Sequence, residues 1–274
     1  MKTIPFIKMH GIGNDYVYID CFQESTARVI GTTDLSDLAR RMSDRHKGIG
    51  ADGIVLILPS QKAVAKMRIF NADGSEAQMC GNAIRCVGKY MYEHGICREK
   101  IIPIETLSDI KLLTLHVEKE QVKEIRVDMG HPIVHTDSLQ LSSDKVEFTS
   151  VNMGNPHAVF FHDNISVEEA QRLGQLIGTH PHFPEGTNVE FVHVRTRHEI
   201  DVMVWERGSG VTMACGTGSC AAMIAAQRQG MVDNNVTVHL PGGDLDIEWD
   251  EASQTVYMTG PATEVYRGEY LLTD

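Results

Sequence analysis

Two cysteines stand out by the company they keep. Cys80-Gly81-Asn82 is echoed by Cys215-Gly216-Thr217, 135 residues further on. Each triplet opens a segment that reads as a helix, 82–94 and 217–229, and each segment stops at a glycine, Gly95 or Gly230. A cysteine at a helix N-terminus lies beside unpaired backbone N–H groups and the positive end of the helix dipole, which favour thiolate over thiol. The same N–H groups make a ready carboxylate site. Two such helix starts facing each other would place one sulfur on each side of a small anion. One thiolate could then remove a proton from a carbon while a thiol on the other face returns one, inverting that carbon.

The chemistry is demanding, because the α-proton of an amino acid is only very weakly acidic. Most solutions use pyridoxal as an electron sink. No phosphate-binding loop with a Schiff-base lysine is evident; Lys89 reads as mid-helix, Lys111 precedes a strand, and both read as surface residues. Without a cofactor, preorganised backbone donors after Cys80 and Cys215 must stabilise the developing charge. No metal is expected either: none of the six cysteines has CxxC spacing, and His180 and His182 lack a ligand pattern.

The elements that must hold these residues also repeat. Gly13-Asn14 precedes a strand-like run at 16–20, and Gly154-Asn155 precedes another at 158–162. Asn71 lies 9 residues before Cys80, and Glu206 lies 9 before Cys215. Asp52 sits between the first pair of markers as Asn188 sits between the second. Asparagine is always available for a turn. Asn14, Asn71, Asn155 and Asn188 in repeat-related places instead point to a shared polar pocket. Glu206-Arg207 could hold an ammonium and a carboxylate respectively, and His157 could tune a cysteine. Cys86 and Cys220 read as packing residues, and Cys21 and Cys97 as structural ones.

Further strand-like runs fall at 53–58, 66–70, 112–117, 124–128, 189–194, 201–205, 236–240 and 255–259. Helices are expected at 35–43 after Asp34 and at 167–177 after Ser166. The run 221–226 is wholly apolar, the mark of a core helix. Strands do not alternate regularly with helices, so the class is α+β rather than a doubly wound parallel sheet. The length of 274 residues suits two domains, here two related halves. Lys+Arg 25 against Asp+Glu 37 gives a net charge of −12, a poor match for nucleic acid or an anionic membrane. No signal peptide or membrane span is read in the chain, and a cytoplasmic location is expected.

Taken in order, the motifs resemble the diaminopimelate epimerase family. They are Lys8-Met9-His10-Gly11-Ile12-Gly13-Asn14-Asp15, Phe70-Asn71-Ala72-Asp73-Gly74-Ser75-Glu76, Cys80-Gly81-Asn82, Arg85-Cys86, Met153-Gly154-Asn155-Pro156-His157, Thr187-Asn188-Val189-Glu190-Phe191, Glu206-Arg207-Gly208, Ala214-Cys215-Gly216-Thr217-Gly218 and Leu240-Pro241-Gly242-Gly243. The resemblance implies a cofactor-independent epimerase interconverting LL- and meso-2,6-diaminopimelate for lysine and peptidoglycan precursors. It implies two pseudo-symmetric domains, 1–117 plus 263–274 and 118–262, each a mostly antiparallel, barrel-like sheet around a central helix, with the site in the cleft between them. Cys80 and Cys215 match the catalytic cysteines. Asn14, Asn71, Asn155, Asn188, Glu206 and Arg207 match substrate-binding residues, and Gly81-Asn82 and Gly216-Thr217 match the helix starts that hold the carboxylate. His157 and Glu206 match residues that modulate the thiols, and Tyr266 matches a place at a homodimer interface. Some members carry Gln where this chain has Gly53, so a distal contact from that position is lost. A proline- or hydroxyproline-type racemase of the same architecture is the nearest alternative, though such enzymes usually have His where Asn82 stands. A thiol redox switch pairing Cys80 with Cys215 is the alternative from another class.

Overall fold

The computed structural model describes residues 2–141 and 144–272. Contacts divide the chain into two compact units, Met1–Val127 with Pro261–Asp274, and Asp128–Gly260. The first division falls inside the strand Gln121–Gly130, and not at 117/118. Residues 1, 142, 143, 273 and 274 of the expected halves lie outside the described residues.

In the first unit, Thr263–Leu272 pairs antiparallel with Lys2–Gly11, which pairs antiparallel with Asn14–Asp20. That strand runs parallel to Gly53–Leu58, which is antiparallel to Ala65–Asn71. Ala65–Asn71 is parallel to Ile101–Glu105, and two antiparallel steps follow, to Ile110–Glu118 and Gln121–Gly130. The second unit repeats the series step for step. Ile133–Leu141, Asp144–Asn152 and Pro156–Phe161 pair antiparallel in turn, and Pro156–Phe161 is parallel to Asn188–Thr196. Glu199–Glu206 follows antiparallel, Asn235–Leu240 parallel, then Gly243–Asp250 and Thr255–Gly260 antiparallel. The sequence repeat is therefore a duplicated topology.

Parallel neighbours need crossovers, and the helices supply them. Helices α1 (Glu24–Ile30) and α2 (Leu35–Ser43) span the first crossover of unit one, and α3 (Gly81–Glu93) the second. In unit two, α4 (Val167–Gly178) and α5 (Gly216–Arg228) do the same. Asp34 caps α2 and Ser166 caps α4 through their side chains, as their residue types predict. Gly95 and Gly230, past the ends of α3 and α5, adopt φ of 72° and 71°, a conformation open to glycine.

Helices α3 and α5 are the central helices. The Ala221–Ala226 stretch of α5 is wholly buried, packed against strands of its own sheet. In unit one, a Cβ on Gly88 would come within 2.7 Å of Leu113, so α3 lies hard against its sheet. The outer helices cover the other side. In unit two, Gly174 and Gly178 leave a flat helix face for the Trp205 side chain, whose Cβ and Cζ3 lie 2.3 and 2.2 Å from where their Cβ atoms would be. These observations bear out the α+β class.

Several elements escape a reading of periodicity. Helix α1 and the strands Lys2–Gly11, Ile101–Glu105, Ile133–Leu141, Asp144–Asn152 and Gly243–Asp250 were not anticipated. Lys2–Gly11 and Ile101–Glu105 each contain a proline, the residue that argues most against a strand.

Candidate active site

The equivalent crossovers place a cysteine at the N-cap of each central helix. Cys80 is extended there, at φ −141° and ψ 119°, and Cys215 at φ −129° and ψ 113°. Each sulfur accepts a backbone N–H from the first turn: Ala83 N at 3.5 Å for Cys80 and Gly218 N at 3.3 Å for Cys215. Gly81-Asn82 and Gly216-Thr217 supply the first helical positions, where N–H groups have no intrahelical acceptor.

In unit one, Asn14 organises the thiol. Its Nδ2 donates to Asp52 at 2.8 Å, which turns its Oδ1 toward Cys80 Sγ at 3.4 Å and Asn82 Nδ2 at 3.3 Å. Asn82 is held in turn by Arg85, fully buried, whose Nη2 donates to its Oδ1 at 3.0 Å and whose Nη1 donates to the Gly81 carbonyl. Burial and the neighbouring Asp15 push the Asp52 carboxyl up. Burial works the same way on Asp15, but Arg45 and Lys8 outweigh it and hold that carboxyl low. Asn71 stands apart from this cluster, donating to Ser75 Oγ at 3.1 Å. Across the strands from it, a Cβ on Gly53 would lie 2.2 Å from the Phe70 carbonyl oxygen and 2.9 Å from the Tyr16 ring. In this chain a side chain at 53 would force the Phe70 carbonyl or the Tyr16 ring to shift.

Unit two gathers more charge around its thiol. Cys215 is 5% exposed and lies 3.6 Å from Thr217 Oγ1. Burial pushes its thiol well above the usual range, and the Glu206 and Glu190 carboxylates add to the rise. Thr217 and the Gly218 N–H oppose the shift and lose. The expectation that a helix start favours thiolate thus fails at Cys215, because desolvation and two anions outweigh the N–H groups. Burial also raises the Glu206 carboxyl, which accepts from Thr212 Oγ1 at 2.5 Å and from Cys215. His157 bridges Glu190 and Asn155, and Asn155 reaches Thr217 Oγ1 at 3.5 Å. Asn188 Oδ1 accepts from Arg207 N at 2.9 Å, and its Nδ2 donates to the Pro156 carbonyl. Arg207 is exposed and donates from Nη1 to the Glu185 carbonyl at 2.7 Å.

Among the other thiols, burial pushes Cys21 up to about 12 and Cys86 up to about 11. Cys220 is fully buried and Cys97 half-buried. Lys89 and Lys111 are not surface residues as expected; they are largely covered and ion-paired with Glu93 and Asp109. Sequence reasoning gave no role to Asp52, Arg85 or Glu190. Their available signal is their place, Asp52 in the repeat opposite Asn188, and Arg85 and Glu190 inside motifs of the family resemblance.

The duplicated fold is that of a wider group of solved structures. A phenazine-biosynthesis protein of the PhzF family from Bacillus anthracis superposes with a TM-score of 0.76 at 16% identity, covering 99% of this chain and 100% of that one. A hydroxyproline epimerase from Agrobacterium vitis superposes with a TM-score of 0.72 at 17% identity, covering 100% and 94%. At the level of sequence, the diaminopimelate epimerase family model matches residues 6–134 and 149–265, and the chain belongs to that family of isomerases. The diaminopimelate epimerase of Acetivibrio thermocellus is 47% identical, covering 98% of this chain and 99% of its own. That of Pelotomaculum thermopropionicum is 49% identical, covering 97% and 98%.

Proposed function

We propose that this chain interconverts LL- and meso-2,6-diaminopimelate by two-base proton transfer, with Cys80 and Cys215 as the two bases. The observation that carries the reading is the duplication of one device: a cysteine N-capping the central helix of each unit, with the asparagine of a Gly-Asn turn bonded to Cys80 in one and to Thr217 at the helix start in the other. A structural cysteine has no need to recur at that place.

One sulfur, as thiolate, takes the α-hydrogen as a proton, and the electron pair stays on the carbon and spreads into its carboxylate. The other sulfur, as thiol, delivers its proton to the opposite face. The two sulfurs exchange protonation states, and the reverse reaction uses them in the opposite order. The raised thiol of Cys215 suits the protonated role in the resting enzyme. The N–H groups at Gly81-Asn82 and Gly216-Thr217 stabilise the charged carboxylate; a single such donor is worth roughly 10²–10³ in rate. Asn14, Asn71, Asn155 and Asn188 bind the polar groups of the substrate, with Glu206 on an ammonium and Arg207 on a carboxylate. His157 and Glu206 tune the thiols. With curated relatives at 45–49% identity all named for diaminopimelate, this substrate is favoured over proline-type rings.

The product serves lysine and cell-wall precursor synthesis in the cytoplasm. The protein acts as a homodimer through the face bearing Tyr266, whose ring packs edge-on against Phe6 and is 44% exposed. Tyr266→Asp should convert the dimer to monomer in sedimentation; an unchanged mass would reject that face. A panel of LL-diaminopimelate, L-proline and trans-4-hydroxy-L-proline tests the substrate. Turnover confined to diaminopimelate is expected, and racemisation of proline alone would overturn the assignment.

A further inference from the structure

The most fully enclosed ion pair near Cys215 joins His157 to Glu190, a carboxylate that has no part in the reaction as described. His157 Nδ1 lies 2.6 Å from Glu190 Oε1, and neither side chain is exposed at all. The two strands that carry them run parallel, with His157 opposite Asn188 and Glu190 two residues further along the same face. The other oxygen of the carboxylate, Glu190 Oε2, has no hydrogen-bond partner among the described residues. Burying a carboxylate with one oxygen unsatisfied is costly, and apolar replacements of such pairs are often neutral or stabilising. Stability therefore gives a weak reason for Glu190 to be acidic.

Its surroundings give a better one. A Cβ on Gly218 would lie 2.9 Å from Glu190 Oε1 and 3.2 Å from Cys215 Sγ. The absence of a side chain at 218 is what lets the carboxylate and the sulfur share the first turn of α5. On the other side of the imidazole, His157 Nε2 faces Asn155 Oδ1 at 3.1 Å, and Asn155 reaches Thr217 at the helix start. A carboxylate can only accept, and so can the amide oxygen of Asn155, so the geometry calls for a proton on each ring nitrogen, Nδ1 donating to Glu190 and Nε2 donating to Asn155.

We propose that Glu190 is a positioning residue of the epimerase: it holds the His157 ring in one orientation with Nδ1 protonated, and through Nε2 sets the amide of Asn155 beside the α5 helix start. This rests on the two-thiol reading, in which Asn155 binds substrate. The carboxylate does not touch the reacting atoms; it acts through His157, so the two residues should behave as one unit.

The test combines a spectroscopic and a kinetic measurement on the full chain. Long-range ¹H–¹⁵N spectra of protein labelled in histidine, with His157 assigned by its loss in His157→Gln, report which ring nitrogens carry protons. A protonated Nδ1 with a strongly downfield proton is expected, whether or not the chain epimerises diaminopimelate. A bare Nδ1 would overturn the proposal and leave the two-thiol reading standing. In the kinetic arm, Glu190→Gln should lower kcat by about tenfold or more, as loss of a residue that orients a functional histidine does elsewhere. KM for LL-diaminopimelate should change much less, and the double variant with His157→Gln should be no slower than the slower single variant. Full turnover in Glu190→Gln, or losses that multiply in the double variant, would overturn it. Should Glu190→Gln fail to fold, the wild-type spectrum still decides.

Discussion

The amide nitrogen of Asn14 donates to Asp52 at 2.8 Å, the shortest of the bonds that turn the amide oxygen toward Cys80. With Nδ2 committed, Oδ1 faces the sulfur at 3.4 Å and can accept its S–H. Asp52→Ala should release the amide to rotate. The expected result is a loss of about 10–100-fold in kcat/KM, the scale of second-layer orienting groups, with little change in Tm. Unchanged kinetics would show that Asn14 needs no such anchor.

The buried thiol of Cys86 makes a prediction about pH. Its folded-state value is raised, to about 11, so its contribution to stability is full below the ordinary thiol range and is lost as pH rises through that window. In that window the unfolded chain gives up the proton and the folded one keeps it. Alkaline destabilisation between about pH 9 and 11 should therefore shrink in Cys86→Ala, by roughly 2–3 kcal/mol at the upper end. Urea midpoints measured across that range check it; parallel pH profiles for the two proteins would contradict it.

Packing gives a third prediction. Gly178→Ala places a Cβ about 2.2 Å from the Trp205 ring. Neither the helix nor the indole can yield cheaply, because both belong to the buried core of unit two. Overpacking of this kind costs about 1–3 kcal/mol. That corresponds to a fall in Tm of roughly 2–4 °C per kcal/mol for units of this size. A Tm at or above that of the parent would mean that α4 shifts freely on its sheet.

Much of this arrangement was readable from residue types. The glycine stops at Gly95 and Gly230, the caps at Asp34 and Ser166, and the recurring Cys-Gly all carry local signals that survive folding, and the structure bears them out. The duplicated topology was visible only as a repeat of spacings, since pairing is a long-range property. What stayed hidden has a common physical cause. Glu190 stands inside a motif and a strand-like run with no role of its own, and only the fold brings it to His157 and Cys215. Cys215 itself reads as a thiolate from its helix start, yet burial and two carboxylates reverse the sign. Desolvation depends on everything packed around a group, which no short motif encodes.

The central claim is that two different sulfurs handle the proton, and solvent deuterium tests it most directly. LL-diaminopimelate is incubated with the reduced enzyme in deuterated water, and substrate and product are analysed early in the reaction. The account predicts α-deuterium at the inverted centre of the first meso product, delivered by a thiol that has exchanged with solvent, while unreacted LL substrate keeps its α-hydrogen. It also predicts that Cys80→Ala and Cys215→Ala each lose epimerisation, by at least about 10²–10⁴-fold, while Cys21→Ala keeps it. Early product that retains the original hydrogen would mean that a single base carries the proton across, and would contradict the two-thiol account.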